Sequence, residues 1–60
     1  MKFNLHFNTK NKAFGDDVQS RNEEIKRILL KVISDLEKGT MCAAMYDSNT
    51  NMIGSYSLTE

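Results

Sequence analysis

Oxygen-bearing side chains recur at alternate positions in the second half of the chain, at Asp47, Asn49 and Asn51. This spacing matches the first three ligand positions of a calcium-binding loop, in which alternate oxygens converge on one ion. The later positions do not match, because Met52 stands where the loop needs glycine and Leu58 where it needs a bidentate glutamate. Asp and Asn are also common in tight turns, since they hydrogen-bond to their own backbone. We therefore expect a turn and no metal site.

The chain has one cysteine, Cys42, and one histidine, His6. Cys42 could act as a nucleophile only with a base, and His6 would have to be that base. No carboxylate or second histidine lies near His6 in the sequence, so a solvated side chain or a ligand contact on an open sheet face describes it better. Cys42 is most simply a small apolar packing residue. We expect no catalytic residues and no cofactor, and the chain is not predicted to be an enzyme.

Two tyrosines, Tyr46 and Tyr56, lie on either side of the predicted turn, and Asn8, Lys10 and Lys12 follow the first predicted strand. Aromatic side chains with a polar tip are favoured in interfaces and stacking pockets. These five residues are a candidate pocket for an anionic ligand or a nucleotide. Ordinary cross-strand packing of the tyrosines is the alternative.

The elements that would position these residues follow from the apolar pattern. Phe3, Leu5 and Phe7 alternate with polar residues, which predicts a half-buried strand. Two further segments, 41–46 and 52–58, flank the predicted turn of five residues and are expected to form a β-hairpin. The first of these segments is apolar on both faces. We therefore expect the helix to cover one face and another chain to cover the other.

A helix is predicted between the first strand and the hairpin. Start signals place its first residue between Asp17 and Arg21, and Gly39 predicts its end. Leu30 points away from the apolar stripe of this helix, either as a single exposed residue or as part of an interface. The stripe itself is expected to face the sheet, and it consists of Ile25, Ile28, Leu29, Val32, Ile33 and Leu36.

Together these elements predict one α+β domain over residues 1–60, with β-α-β-β order and one helix packed on a three-stranded mixed sheet. The strands before and after the helix would run parallel with a right-handed crossover, and the last strand would be antiparallel to its hairpin partner. The pattern leaves open whether the last strand lies in the middle of the sheet or at its edge.

The chain is small for an independent domain. A chain of 60 residues buries only about 60% of the surface that its unfolded form exposes. A lone cysteine forms no internal disulfide, so self-association is the remaining support, and we expect a homodimer or a higher oligomer. The residues expected at its interface are Leu30, Cys42, Ala44, Tyr46 and Ile53.

The charge balance counts against a protein that binds duplex DNA, and the hydropathy counts against a protein that spans a membrane. Eight Lys and Arg balance eight Asp and Glu, whereas a protein that binds duplex DNA normally has a basic excess. Charges four residues apart, such as Glu23 with Arg27 and Lys31 with Asp35, are typical of a solvated helix face. We find no signal peptide and no stretch near the roughly 18 apolar residues of a membrane span. One free cysteine without an export signal predicts the cytoplasm and no membrane association.

The order of motifs resembles a group of small, mostly uncharacterised proteins of tailed phages and prophages. The resemblance covers nearly the whole chain, and it departs at Thr50, where the group usually has glycine. The residues that carry it are Met1-Lys2-Phe3, Ala13-Phe14, the acidic start Asp16-Asp17, the helix from Ile25 to Leu36, Gly39, and the hairpin Asp47-Ser48-Asn49-Thr50-Asn51-Met52-Ile53-Gly54.

For a chain of this size, the resemblance implies an accessory protein that inhibits a bacterial defence system in the host cytoplasm. Such a protein would act as a stoichiometric binder, either by occupying a host immune effector or by sequestering a nucleotide signal. The alternative is a small nucleic-acid-binding regulator of transcription, which would use the exposed sheet or the lysines near the amino terminus. Binding measured at increasing salt would distinguish these two functions, because contacts to phosphate groups weaken steeply as salt is added.

Overall fold

The computed structural model describes residues 1–60. The predicted α+β class and β-α-β-β order are confirmed, and a short 3₁₀ turn is the one element that was not predicted. In chain order, the elements are strand β1 (Lys2–Phe7), the 3₁₀ turn (Lys12–Phe14), helix α1 (Val18–Glu37), strand β2 (Cys42–Tyr46) and strand β3 (Met52–Thr59).

The sheet corrects the predicted arrangement of the strands. The strand order is β1-β3-β2, and β3 pairs antiparallel with both neighbours. The prediction of a mixed sheet is therefore wrong, and the sheet is antiparallel throughout. β1 and β2 do run in the same direction, but the return strand of the hairpin lies between them. The hairpin turn reverses the chain, so β3 runs antiparallel to β2. Since β1 runs in the same direction as β2, β3 is antiparallel to β1 as well.

Gly54 is the point at which β3 meets both neighbours, since it lies opposite Phe7 in β1 and Met45 in β2. A Cβ atom at this position would overlap the His6 carbonyl oxygen and lie 2.5 Å from the Phe7 Cα atom. Glycine is therefore what allows β1 to approach so closely. The register with β2 shifts next to this pair, so that Ile53 is an extra residue without a partner in β2, as in a β-bulge.

The core lies between α1 and one face of the sheet. Phe14 stacks on Phe7 with ring centroids 6.3 Å apart, and it anchors the connector between β1 and α1. The apolar patterns do not identify Phe14, because polar residues separate it from both the strand and the helix. Ile53, expected at an oligomer interface, is buried in the core instead. The buried apolar side chains are Phe14, Ile28, Val32, Met45, Ile53 and Tyr56.

The helix begins and ends where its capping residues predict. Asp17 is the N-cap, and its Oδ1 accepts a hydrogen bond from the Ser20 amide at 2.7 Å. Gly39 has a φ of 89°, and the Thr40 amide donates to the Asp35 carbonyl at 3.1 Å, which closes the helix in a Schellman motif. No helix of the chain combines the length and the apolarity that crossing a membrane requires.

Replacing Gly54 with alanine is expected to lower the free energy of unfolding by about 1–3 kcal/mol, because the added methyl group forces β1 away from β3. Ser55→Ala, at an exposed position of the same strand, is the matched control and should change this free energy by less than about 0.5 kcal/mol. Urea unfolding followed by circular dichroism measures both. Equal stability of Gly54→Ala and the wild type would contradict the close contact with His6.

Candidate functional site

The apolar stripe of α1 is wider than the surface that the sheet offers it. Ile28 and Val32 face the sheet and are 2% and 4% exposed. The expectation that the whole stripe packs on the sheet is therefore wrong. Four large apolar side chains of the helix remain between 39% and 55% exposed, and we call them the helix patch: Leu29, Leu30, Ile33 and Leu36.

The width of the sheet explains the helix patch. Leu29, Ile33 and Leu36 have i, i+4, i+7 spacing and share one side of the helix, next to the buried line of Ile28 and Val32. Three strands about 4.8 Å apart span roughly 10 Å, which is no wider than the helix itself. The sheet therefore covers only one side of the stripe. Contiguous exposed apolar side chains of this kind are typical of a protein-binding surface.

A buried carboxylate lies on the side of the apolar stripe that is away from the helix patch. Glu24 is 8% exposed, and its Oε1 and Oε2 accept from Nε and Nη2 of Arg27 at 2.8 and 3.1 Å. Oε2 also accepts from the Ser48 amide at 2.8 Å. Arg27 Nη2 donates in addition to the Tyr46 carbonyl oxygen at 3.2 Å. We call these contacts the Glu24 clamp, because they fix the hairpin turn to the first half of α1.

The hairpin turn is organised from inside by a second carboxylate. Asp47 is 3% exposed, and its Oδ1 accepts from the amides of Asn49 and Asn51, both at 2.9 Å. Its Oδ2 accepts from Asn11 Nδ2 at 2.8 Å, which ties the connector after β1 to the turn. The alternate Asp and Asn residues thus build the expected turn. Nowhere do three His, Cys, Asp or Glu side chains come together as a metal site would need.

These hydrogen bonds change the acidity of both carboxyl groups. The Arg27 guanidinium lowers the pKa of Glu24, and this effect outweighs the burial that raises it. The Asn11 amide lowers the pKa of Asp47 in the same way, again against burial. Both carboxyl groups are therefore ionised at neutral pH, which is the form that holds the turn against the helix.

A groove of about 300 Å³ runs between α1 and β2. Both cations of its lining are paired with carboxylates, Lys31 with Asp35 at 2.7 Å and Arg27 with Glu24. Asp35 Oδ2 also accepts from the Tyr56 hydroxyl at 3.3 Å. The groove therefore suits an extended segment of protein better than a free anion. Its lining includes the apolar side chains of Ile28, Val32 and Met45 and, on the helix, Arg27, Lys31 and Asp35.

The structure does not bring together the five residues expected to bind a ligand. Tyr56 is 2% exposed and its ring lies in the core, 6.0 Å from the ring of Phe3. Tyr46 is 53% exposed at the end of β2, which leaves it as the one accessible aromatic of the set. The three other residues are exposed on the connector after β1, and they are Asn8, Lys10 and Lys12.

The residues expected at an oligomer interface lie on separate surfaces. Leu30 belongs to the helix patch. Cys42, Ala44 and Tyr46 are exposed along β2 and alternate with residues that face the helix. Ile53 is 9% exposed and lies in the core. The helix and the outer face of the sheet point in opposite directions, so one flat interface does not contain all of these residues.

The one histidine and the one cysteine are also apart. His6 pairs with Ser55 and Cys42 pairs with Ser57, and the central strand separates them. Two strand spacings alone place them about 10 Å apart. His6 and Cys42 therefore form no pair of base and nucleophile.

The charge pattern does not identify the Glu24 clamp. Arg27 pairs with Glu24 and not with the expected Glu23, whereas the expected pair of Lys31 with Asp35 is present. A signal for the clamp exists in the sequence, because Glu24 stands four residues before Ile28 and therefore lies on the buried side of the helix. An acid at such a position needs a donor from elsewhere in the chain.

No protein-family model matches the chain, and no curated protein or solved structure is similar to it beyond chance. The fold and its surfaces therefore define the class of protein. It is a small α+β protein with an antiparallel sheet, one apolar helix face and one groove along a sheet edge.

Glu24→Gln is expected to lower the free energy of unfolding by about 1–3 kcal/mol at neutral pH, because a neutral amide makes weaker bonds to Arg27. Glu23→Gln, one residue away and exposed, is the matched control and should stay within about 0.5 kcal/mol of the wild type.

Folding lowers the pKa of Glu24. Its stabilisation is therefore present above the unfolded value, about 4.3, and is lost as the pH falls through the folded value. Urea unfolding at neutral and acid pH should show the difference closing in acid. A difference that does not depend on pH would mean that the charge of Glu24 contributes nothing.

Thr50 closes the turn in a strained conformation. Its φ is 64°, a region that β-branched residues rarely adopt, and its amide donates to the Asp47 carbonyl at 3.0 Å. Thr50→Gly is expected to stabilise the fold by about 0.5–1 kcal/mol, since the relief of strain exceeds the added entropy of the unfolded chain. Asn49→Gly, the neighbouring exposed position, should give no gain. Thermal unfolding compares the two, and a lower melting temperature for Thr50→Gly would contradict the strain.

Proposed function

We propose that this chain is an accessory binding protein of the tailed-phage type that acts in the host bacterial cytoplasm by occupying a host defence protein. It self-associates and acts by stoichiometric binding. The observation that supports binding most directly is the helix patch, in which four large apolar side chains are exposed on one side of α1. The phage context and the defence target rest on the resemblance of the sequence motifs.

The amount of exposed surface supports a protein that works with a partner. The chain exposes 4498 Å² and buries only eight of its 60 residues. A compact monomer of 6.9 kDa is expected to expose about 4,000 Å². The excess of roughly 500 Å² is a large part of the approximately 800 Å² that one partner contributes to a standard interface.

A protein partner is favoured over a nucleotide or a nucleic acid. Burial of Tyr56 leaves Tyr46 as the one accessible tyrosine for stacking, and the other exposed aromatic ring, Phe3, lies on a different strand. The two cations beside the groove are paired with carboxylates, so they offer little free charge to phosphate groups. Aliphatic side chains at helical spacing are instead recognised by an apolar groove of another protein.

The proposal is tested in a set of bacterial strains that each carry one phage-defence system. Expression of the wild-type chain should restore phage growth in the strain whose effector it occupies, and the two purified proteins should bind in a fixed ratio. Leu30→Glu combined with Ile33→Glu should abolish both effects, because the loss of a central interface side chain costs about 2 kcal/mol or more, roughly thirty-fold in Kd. Circular dichroism checks that this variant folds.

Ser55→Glu is the matched control, since it places the same charge on the outer face of the sheet, away from the helix patch. It should retain the activity of the wild type. Equal activity of the double variant would remove the helix patch from the target interface. Retention of nucleic acid that weakens steeply with salt would support the transcriptional regulator instead.

A further inference from the structure

β2 is an edge strand whose own residues lack the features that usually prevent pairing with another chain. It lies at the end of the strand order, with β3 on one side and no strand on the other. Residues 39–46 contain no charged residue and no proline. Charged residues and prolines are what usually prevent an edge strand from pairing with another chain. The opposite edge, β1, carries Lys2 within the strand. The two edges therefore differ, and β2 is the one suited to pairing.

The backbone of β2 presents a regular set of bonding groups at this edge. In an antiparallel pair, successive residues turn their N–H and C=O groups alternately toward the partner and away from it. Met41 and Asp47 bond toward β3, so the odd-numbered residues between them do the same. The bond from Arg27 to the outward carbonyl of Tyr46 agrees with this alternation. The residues whose backbone groups point outward are Cys42, Ala44 and Tyr46.

We infer that β2 pairs with β2 of a second copy of this chain, antiparallel and centred on Ala44. Ala44 bonds to the partner's Ala44, and Cys42 bonds to the partner's Tyr46, whose carbonyl oxygen has two lone pairs and accepts from Arg27 as well. The two three-stranded sheets then join into one continuous antiparallel sheet. The contact is symmetric, because each copy uses the same residues. This inference rests on the self-association in the proposed function and names its surface.

The side chains along β2 suit this pairing. Small side chains meet at the centre, where Ala44 lies opposite the partner's Ala44. On the side that faces the helix, Ala43 lies opposite the partner's Met45, so a small side chain meets a large one. The strand carries no charge, and therefore no like charges face each other across the pair.

The groove adds complementary charges above the paired strands. Arg27 lies level with Tyr46, to which it bonds. Asp35 bonds to Tyr56, which lies opposite Ala43 in the sheet, so Asp35 is level with Ala43. Antiparallel pairing reverses one copy, which brings Asp35 toward the partner's Arg27. Each group also keeps its partner within its own copy, Arg27 with Glu24 and Asp35 with Lys31. Charges of both signs therefore line each side of the contact, and a second copy complements them.

The first test is the mass of the protein in solution. Sedimentation equilibrium of the wild type should give twice the chain mass of 6.9 kDa. Ala44→Pro removes an outward N–H without removing a bond to β3 and is expected to give a monomer. Ala44→Ser keeps the N–H and is the matched control, which should stay dimeric. Ile33→Glu, in the helix patch, should stay dimeric as well.

Two further measurements do not depend on the folding of the proline variant. Hydrogen exchange of the wild type should show protection of the Cys42, Ala44 and Tyr46 amides, which exchange rapidly at a free edge. Ala44→Cys in a Cys42→Ser background should form an intermolecular disulfide on mild oxidation. Directly opposed, hydrogen-bonded residues have Cα atoms about 5.5 Å apart, which a disulfide can bridge.

The possible outcomes separate the inference from the proposed function. A wild-type chain that is a monomer at every concentration overturns both the edge pairing and the self-association, while binding of a host protein through the helix patch is judged by its own test. A dimer that survives Ala44→Pro and is lost in Ile33→Glu overturns the edge pairing alone.

Discussion

The fold depends on the burial of one charged group, the carboxylate of Glu24, between the helix and the hairpin turn. Leaving such a group unpaired in the interior would cost several kcal/mol. Arg27 supplies donors from the same helix and Ser48 supplies one from the turn, and no buried side-chain nitrogen or oxygen lacks a hydrogen-bond partner. The clamp sets where the hairpin lies along the helix. The position of the groove beside β2 follows from that placement.

The local elements could be predicted because their signals are local. Alternation at Phe3, Leu5 and Phe7 describes β1 without reference to any other part of the chain. Asp17 and Gly39 mark the ends of α1 because each satisfies backbone groups within the adjacent turn. The hairpin turn is equally local, since its carboxylate bonds to amides two and four residues ahead.

The remaining features depend on parts of the chain that are distant in sequence. Alternation within a strand does not reveal its neighbours, so the central place of β3 and the antiparallel sheet were not predictable from it. The rotation of α1 was not predictable either, because its apolar stripe is too broad to define one buried line. The buried Glu24 takes one of its donors, the Ser48 amide, from the hairpin, which is distant in sequence. Likewise, Tyr46 and Tyr56 look equivalent in the sequence, and the sheet places one outside and the other in the core.

The central position of β3 also determines the order in which the chain can fold during synthesis. Both edge strands precede β3 in the chain, so neither has a partner until β3 has left the ribosome. The pairing of Lys2 with Thr59 then closes the longest loop in the fold, a step that costs entropy and slows folding. Before β3 has been made there is no sheet for α1 to pack on, and an isolated helix is only marginally stable in water. The entire apolar stripe of α1 is therefore exposed to chaperones at the ribosome exit until the sheet forms.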